Sequence, residues 1–313
     1  MTLAPHPNLD RAVGALLGLA VGDALGTTLE FRQRDQQPHH SDITGGGPFG
    51  LKPGVWTDDT SMALALAESL EAHPDLDARD LMTRFVRWHR EGAYSPTGRC
   101  FDIGITTRTA LSKFEGSGNS IAGDTDPYSA GNGSLMRLSP VAIRHHADAD
   151  RADDVARRQS ATTHAAPECL EACAYFARLL VRAINGEDKD SLLAPGVWPG
   201  GGKVASIAAG DWRNKSRDDI RSSGYVIHTL EAAMWAVARA ESFEEAVVLA
   251  VNLADDADTV GAVTGQLAGA LWGAQAIPAH WLNVLAWEPQ IRGLSERLFA
   301  GDAHPAQTIT EEP

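Results

Sequence analysis

Sustained alternation of apolar and polar residues, the pattern of a half-buried strand, is scarce in this chain. Apolar residues recur instead at helical spacing. Val13, Leu16, Leu17, Ala20 and Ala24 form one such series, and Asp10 ahead of them reads as an N-cap. The spacing predicts helices over 61–72, ended by His73-Pro74, and over 80–89, with Leu81, Phe85 and Trp88 on one face. Further helices are predicted over 168–184, stopped by Asn185-Gly186, and over 229–240, 243–253 and 260–272. A chain patterned this way folds as a compact all-α domain. Its 313 residues are ample to bury a core, and neither a composition shift nor a fixed-period repeat divides them. One domain over 1–313 is expected, with a frayed polar tail from His304 to Pro313.

Charge narrows the function. Lys and Arg number 27 against 41 Asp and Glu, a formal net charge of −14. That excludes a nucleic-acid clamp or a binder of anionic membranes, which need concentrated positive charge. Small anions held by backbone amides or metal ions stay open. Cys100, Cys169 and Cys173 make no disulfide framework and no zinc site. Cys169 and Cys173 read as two small apolar residues on one helix face. Met1 to Asp10 lacks a basic-then-apolar leader, and the apolar run from Val13 to Leu25 is too short to span a bilayer. The expectation is a reduced, cytoplasmic protein without a membrane partner.

Three glycine-rich stretches read as loops: 44–55, 116–134 and 195–210. The last contains GVWPGGGK, which nearly imitates a phosphate-binding P-loop. Val197 stands where its first glycine belongs and Val204 where Ser or Thr is required, so it is read as an ordinary surface loop.

The informative features are two acidic clusters far apart in the chain. Trp56-Thr57-Asp58-Asp59-Thr60 precedes one apolar helix, and Asp255-Asp256-Ala257-Asp258-Thr259 precedes a helix of small residues. Asp and Thr are ordinary N-caps, and acidic residues suit the helix dipole, so one Asp per helix needs no further account. Several hard oxygen ligands in each cluster exceed what capping requires, and adjacent carboxylates gain from a cation between them. Thr57, Asp58, Asp59, Asp256, Asp258 and Thr259 together offer four negative charges and two hydroxyls. All-oxygen ligation points to Mg²⁺ or Mn²⁺, and four carboxylates would neutralise two such ions. The fold must bring the clusters together.

Two weaker signals accompany them. Gly131-Asn132-Gly133-Ser134, ahead of a possible helix, lets a ligand approach the backbone closely. Asp23, at the end of an apolar helix, is read as a buried side chain capping nearby amides. Glu30 lies beyond that helix, where it either faces a cleft or stays a solvated loop carboxylate.

These pieces, in this order, resemble the ADP-ribosylglycohydrolase family. The matching segments are GALLGLAVGDALGTTLE (14–30), WTDDTSMALALAESL (56–70), FDIGITTRTAL (101–111), GNGSLMRLSPVAI (131–143), Thr163-His164, GYVIHTLEAAMWA (224–236) and VNLADDADTVGAVTGQLAGALWG (251–273). The resemblance implies an all-α fold, a compact orthogonal helical bundle with a binuclear metal site in a central cleft. It implies Thr57, Asp58, Asp59, Asp256, Asp258 and Thr259 as ligands of two Mg²⁺ (or Mn²⁺) ions. It implies Glu30 on a mobile loop beside the active site, with Asp102 at its rim and Gly104 close by. Gly131, Asn132, Gly133 and Ser134 match the loop that holds ADP-ribose, and His164 and Tyr225 match positions lining that pocket. There is one departure: Ala254 and Asp255 stand where the family usually has two glycines, and Asp255 could compete as a ligand.

The implied reaction is hydrolysis of the glycosidic bond between ADP-ribose and an acceptor, with ADP-ribosyl-arginine on protein as the leading substrate and ADP-ribose as product. Glu30, Asp58, Asp59 and Asp256 are the candidate catalytic carboxylates. Alternatives are another linkage (serine, nucleic acid as a modified substrate, or a free derivative), an ADP-ribose-binding protein without turnover, and a phosphohydrolase cutting the diphosphate. A monomer is expected.

Overall fold

The computed structural model describes residues 7–301, so the expectations for the first six residues and for the tail from His304 lie outside it. The described residues hold fourteen α-helices: α1 (Pro7–Gly26), α2 (Asp58–Ala72), α3 (Ala78–Glu91), α4 (Ile105–Ser117), α5 (Ser139–Arg144), α6 (Ala149–Ala161), α7 (Pro167–Ile184), α8 (Lys189–Leu192), α9 (Gly202–Ala208), α10 (Val226–Arg239), α11 (Phe243–Val251), α12 (Ala257–Trp272), α13 (Ala279–Val284) and α14 (Glu288–Ala300). Pairing of extended backbone among them is limited to isolated bridges such as Gly131 with Tyr225. No helix among them is long and apolar enough to cross a membrane.

α1 and α12 form the centre. Both are apolar on all sides, and a helix of that kind belongs in the core; every residue of α1 from Ala12 to Gly26 is buried. They pack antiparallel along glycines spaced four apart: Gly14 faces Gly269, Gly18 faces Gly265 and Gly22 faces Gly261. A Cβ on Gly18 or Gly22 would fall far inside van der Waals contact with the opposing carbonyl oxygen, so the two backbones touch only because no side chain intervenes. This register carries the C-terminal end of α1 to the N-terminal end of α12, where Gly26 meets Ala257.

α2, α5, α7, α10, α11 and α14 pack directly on this pair, and outer helices such as α3 and α6 pack on that layer. On α3, Leu81, Met82, Phe85 and Trp88 face inward, Asp77 caps the start by accepting from the Arg79 and Asp80 amides, and Gly92 at φ 72° ends it. Cys169 and Cys173 share the inner face of α7 as expected. Their thiols donate to Gly131 O (3.3 Å) and Ser134 Oγ (3.4 Å), so α7 backs the glycine loop.

Three expectations need correction. α1 starts at Pro7, which suits a first helical position, so Asp10 lies inside the first turn rather than capping it. The stretch after Gly133 is a run of turns, and helix resumes at Ser139, where Pro140 presets the first turn. The 195–210 loop contains the short helix α9.

Candidate active site

The two acidic clusters meet. Asp58, Asp256 and Asp258 line one cavity of about 690 Å³, together with Glu30, Asp102, Gly104, Gly131, Asn132, Gly133, His164 and Thr259. A volume of that order suits a ligand of several hundred daltons. Thr57 and Asp59 lie just beneath its floor, both buried.

Neither α2 nor α12 is capped by its own N-cap side chain. Asp23, at the end of α1, caps α2 from outside. Its carboxylate accepts from the amides of Thr57 (2.9 Å) and Thr60 (3.0 Å) and from the hydroxyls of Thr57 (3.0 Å) and Thr60 (2.7 Å). Asp23 is a buried cap as expected, but the amides it caps are not neighbouring ones: they lie more than thirty residues away. Glu30 does the same for α12, its Oε2 accepting from the Ala257 amide at 2.8 Å. Glu30 is buried, not a solvated loop carboxylate. Capping from outside releases Asp58, Asp59, Asp256 and Asp258 for another task.

That task is visible in what these carboxylates lack. Carboxylate oxygens of Glu30, Asp256 and Asp258 lie within 4.8 Å of one another. Asp59 Oδ1 and Asp258 Oδ2 are buried without any hydrogen-bond partner, an arrangement that costs free energy unless a cation completes it. Burial first, and repulsion by Asp258 second, push Asp256 up to about 7; burial and then Asp102 push Asp258 up to about 7. Burial also raises Asp102 to about 6 and lifts Asp58, Asp59 and Glu30 well above the carboxylate range. The set is short of positive charge, and its hard oxygen atoms fit a divalent cation. Glu30, read from the sequence as catalytic, belongs geometrically with the ligand candidates Asp256 and Asp258.

The opposite wall presents backbone amides. α4 begins at the cavity with Gly104 as an N-cap that offers no side-chain bond, so its first amides are free to face a ligand. The amides of Gly133 and Ser134 find no acceptor among the described residues. Asn132 joins the two walls: its Nδ2 donates to Asp256 Oδ2 (2.7 Å) and to Thr229 Oγ1 (2.9 Å).

His164 lies under the glycine loop. A Cβ on Gly133 would come within 3.0 Å of its Nε2 and closer still to its Cε1, so this glycine is required by the imidazole as well as by any ligand. Burial and the nearby Arg137 drop the His164 pKa to about 3, so the ring is neutral. Arg137, fully buried, donates to Thr163 Oγ1 (3.0 Å), and the Thr163 hydroxyl lies 2.8 Å from His164 Nδ1. Arginine can only donate. With Thr163 Oγ1 accepting from Arg137, its own proton is free for Nδ1, an arrangement that puts the ring proton on Nε2, on the side where the loop passes.

Besides Thr57 and Asp59, two expected residues do not reach the cavity wall. The Ser134 hydroxyl points into the core, accepting from Ser160 Oγ (2.8 Å) and Cys173 Sγ. The Tyr225 hydroxyl donates to Glu168 and accepts from Lys203, while its backbone braces Gly131 from behind. Sequence reasoning missed Phe31, Thr107, Arg108, Met136 and Gly224, all on the wall. Gly104 directly ahead of Ile105-Thr106-Thr107, a cap and a first turn, was a signal for the α4 contribution.

With this geometry in hand, comparison with known proteins is specific. The family model described as ADP-ribosylglycohydrolase matches residues 4–307. The chain is 50% identical to the ADP-ribosylarginine hydrolase Tri1 of Pseudomonas putida (strain GB-1), over 95% of this chain and 80% of that protein. It is 35% identical to the ADP-ribosyl-[dinitrogen reductase] glycohydrolase of Rhodospirillum rubrum, over 93% of this chain and 96% of that protein. A solved structure titled ADP-ribosylglycohydrolase-related protein complex superposes with a TM-score of 0.83 at 42% identity, covering 94% of this chain and 98% of that one.

Proposed function

The chain belongs to the ADP-ribosylglycohydrolase family, and from that premise we propose that it hydrolyses the N-glycosidic bond between ADP-ribose and arginine side chains of modified proteins, releasing ADP-ribose. The observation that carries this reading is the pairing of opposed walls in one cavity: unpartnered buried carboxylate oxygens on one side, free helix-terminal and loop amides on the other. Only a ligand with an anionic part and a polyhydroxylated, cation-gripped part uses both.

Asp58, Asp59, Asp256, Asp258 and Glu30, with the hydroxyls of Thr57 and Thr259, would hold two divalent cations, Mg²⁺ or Mn²⁺. Such ions supply charge to grip ribose hydroxyls and to acidify water. The amides at the start of α4 and at Gly133 receive the diphosphate, so a protein of net charge −14 binds a dianion with little help from lysine. His164 offers a neutral Nε2–H to a ligand oxygen at the glycine loop. Asn132 orients Asp256, and the carboxylates face the anomeric carbon, where positive charge builds as the bond breaks. A carboxylate of the set, Asp58 or Glu30, takes the proton of the attacking water. Asp102 stands at the rim, and Ser134 and Tyr225 support the loop from behind.

The enzyme acts as a single-domain monomer in the cytoplasm, where its three free cysteines stay reduced. An ADP-ribosyl-arginine peptide assayed with Mg²⁺, with Mn²⁺ and with EDTA tests the reading. Free ADP-ribose in the metal-containing reactions supports it. AMP as product would instead mark a diphosphate hydrolase, and binding without turnover would mark a receptor.

A further inference from the structure

Ala254 and Asp255 both sit in the left-handed region, at φ 60° and 63°. Glycine adopts that conformation without strain; aspartate tolerates it better than most residues, at a small cost. The turn is fixed from several sides. The Asp255 amide donates to Arg32 O (2.9 Å), Asp255 O accepts from the Phe31 amide (2.8 Å), and Leu253 O accepts from Arg34 Nε (3.0 Å) and Ser222 Oγ (3.1 Å). The backbone would tolerate glycine at 255 at least as well as aspartate. What sets Asp255 apart from Ala254 beside it is that its carboxylate stands on a cavity wall.

The Asp255 side chain is exposed and makes no hydrogen bond or ion pair with the described protein. It stands on the wall shared by the main cavity and an adjoining one of about 670 Å³. Phe31, 65% exposed, lies on the same shared wall and offers an apolar face. This shared wall is a route by which an acceptor attached to a ribose at the carboxylate cluster leaves the main cavity.

We propose that Asp255 is a specificity-determining residue that accepts hydrogen bonds from the guanidinium of the ADP-ribosylated arginine, while the arginine stem passes over Phe31 into the adjoining cavity. This rests on the arginine-hydrolase reading. A carboxylate facing a guanidinium forms a charge-assisted, potentially bidentate pair, which a neutral acceptor cannot form. In the reaction, water delivers hydroxyl to the anomeric carbon and its other proton to the departing nitrogen, and the C–N bond breaks. The guanidinium carries one positive charge in both substrate and product, so the contact strengthens binding throughout rather than at the transition state alone. Loss of it therefore raises KM more than it lowers kcat.

The test compares metal-loaded full-length wild type with Asp255→Asn and Asp255→Gly. It measures KM and kcat on an ADP-ribosyl-arginine peptide, the Kd of ADP-ribose by calorimetry, and Tm. Expected are a rise in KM of about tenfold in both variants, kcat within about twofold, an unchanged Kd for ADP-ribose, and a Tm for Asp255→Gly at or above wild type. Unchanged KM in both variants, with wild type active, overturns the inference alone. KM and the ADP-ribose Kd rising together also overturns it, because Asp255 would then shape the whole pocket. A wild type inert towards ADP-ribosyl-arginine overturns the arginine reading, and the inference with it.

Discussion

Two helix starts in this molecule carry nearly the same residues, and both are capped from outside by a carboxylate belonging to the α1 end of the fold. Asp23 caps α2 and Glu30 caps α12. The difference is saturation. Asp23 is fully buried, and both its oxygens are consumed by amides and hydroxyls. The backbone bonds of Glu30 fall on Oε2 alone, at 2.8 and 3.5 Å, and its carboxylate stays within ligand distance of Asp256 and Asp258. A saturated carboxylate is architecture; a half-saturated one beside others is available for chemistry. The comparison also explains why the helices' own aspartates are free: what an N-cap normally does has been taken over by a neighbour.

The largest effect is expected where the freed carboxylates are neutralised. Asp58→Asn and Asp256→Asn should each lower kcat/KM on ADP-ribosyl-arginine by about 1,000-fold or more. Their folding should remain intact in the metal-free protein, because removing a charge relieves repulsion among Asp23, Asp58, Asp102, Asp256 and Asp258. Single-turnover kinetics beside circular dichroism checks this. Full turnover in either variant would remove that carboxylate from the mechanism.

The next effect concerns what brings the two starts together. Gly22→Val should destabilise by about 3 kcal/mol or more, because its side chain has no room against the Gly261 carbonyl. Gly116→Ala, in α4 with open space around it, should be neutral or stabilising by about 0.5–1 kcal/mol. Urea titrations of the two variants give the contrast directly, and equal stabilities would break the account of the α1–α12 contact.

Much of this was legible beforehand. The helical period placed α1, α2, α3, α7, α10, α11 and α12 within a few residues, because each has a strong apolar stripe or is apolar throughout. α6 and α14 escaped: ADRADDVARRQSA and EPQIRGLSERLFA are largely polar, and their few inward residues make a faint pattern. The acidic clusters were visible as ligand candidates because they hold more oxygen than a cap needs. Their convergence was not, because it depends on register between helices more than two hundred residues apart. A signal for that register existed in the four-residue spacing of Gly14, Gly18 and Gly22 against Gly261, Gly265 and Gly269. The caps supplied by Asp23 and Glu30 had no local signature, since a side chain that serves a distant helix leaves no mark near that helix in the sequence.

The sharpest version of the comparison exchanges the two caps. Glu30→Gln should keep stability within about 1 kcal/mol, since an amide oxygen still accepts from Ala257, but cut activity by about 100-fold. Asp23→Asn should do the reverse, because one carboxylate oxygen becomes an amide nitrogen that cannot accept. Stability should fall by about 2 kcal/mol, with the folded fraction retaining most of its kcat. Both variants can be followed by thermal melts and by rates normalised to folded protein. A crossed pattern of losses supports the division of labour, and parallel losses would dissolve it.

The smallest effect is a dependence of stability on pH that metal should abolish. Without metal, Asp256 and Asp258 have folded-state pKa values raised to about 7, and Asp102 to about 6, all above the unfolded value of about 3.9. Between those limits the folded state binds more protons than the unfolded one, so stability falls as pH rises from about 4 to about 7. The coupled groups together should lower the stability of the metal-free protein steadily across that window. With Mg²⁺ or Mn²⁺ bound, the same carboxylates are ionised at both ends of it, and the slope should flatten. Because protons compete with the cation, the gain in Tm on adding metal should be larger at pH 8 than at pH 5. Melting curves with EDTA and with each metal at the two pH values measure both slopes. Asp23 supplies an internal contrast: burial and then Asp258 raise it to about 7 as well, yet its oxygens are already taken by α2. In an Asp256→Asn, Asp258→Asn background, the residual slope should therefore shrink but persist, and its metal response should disappear.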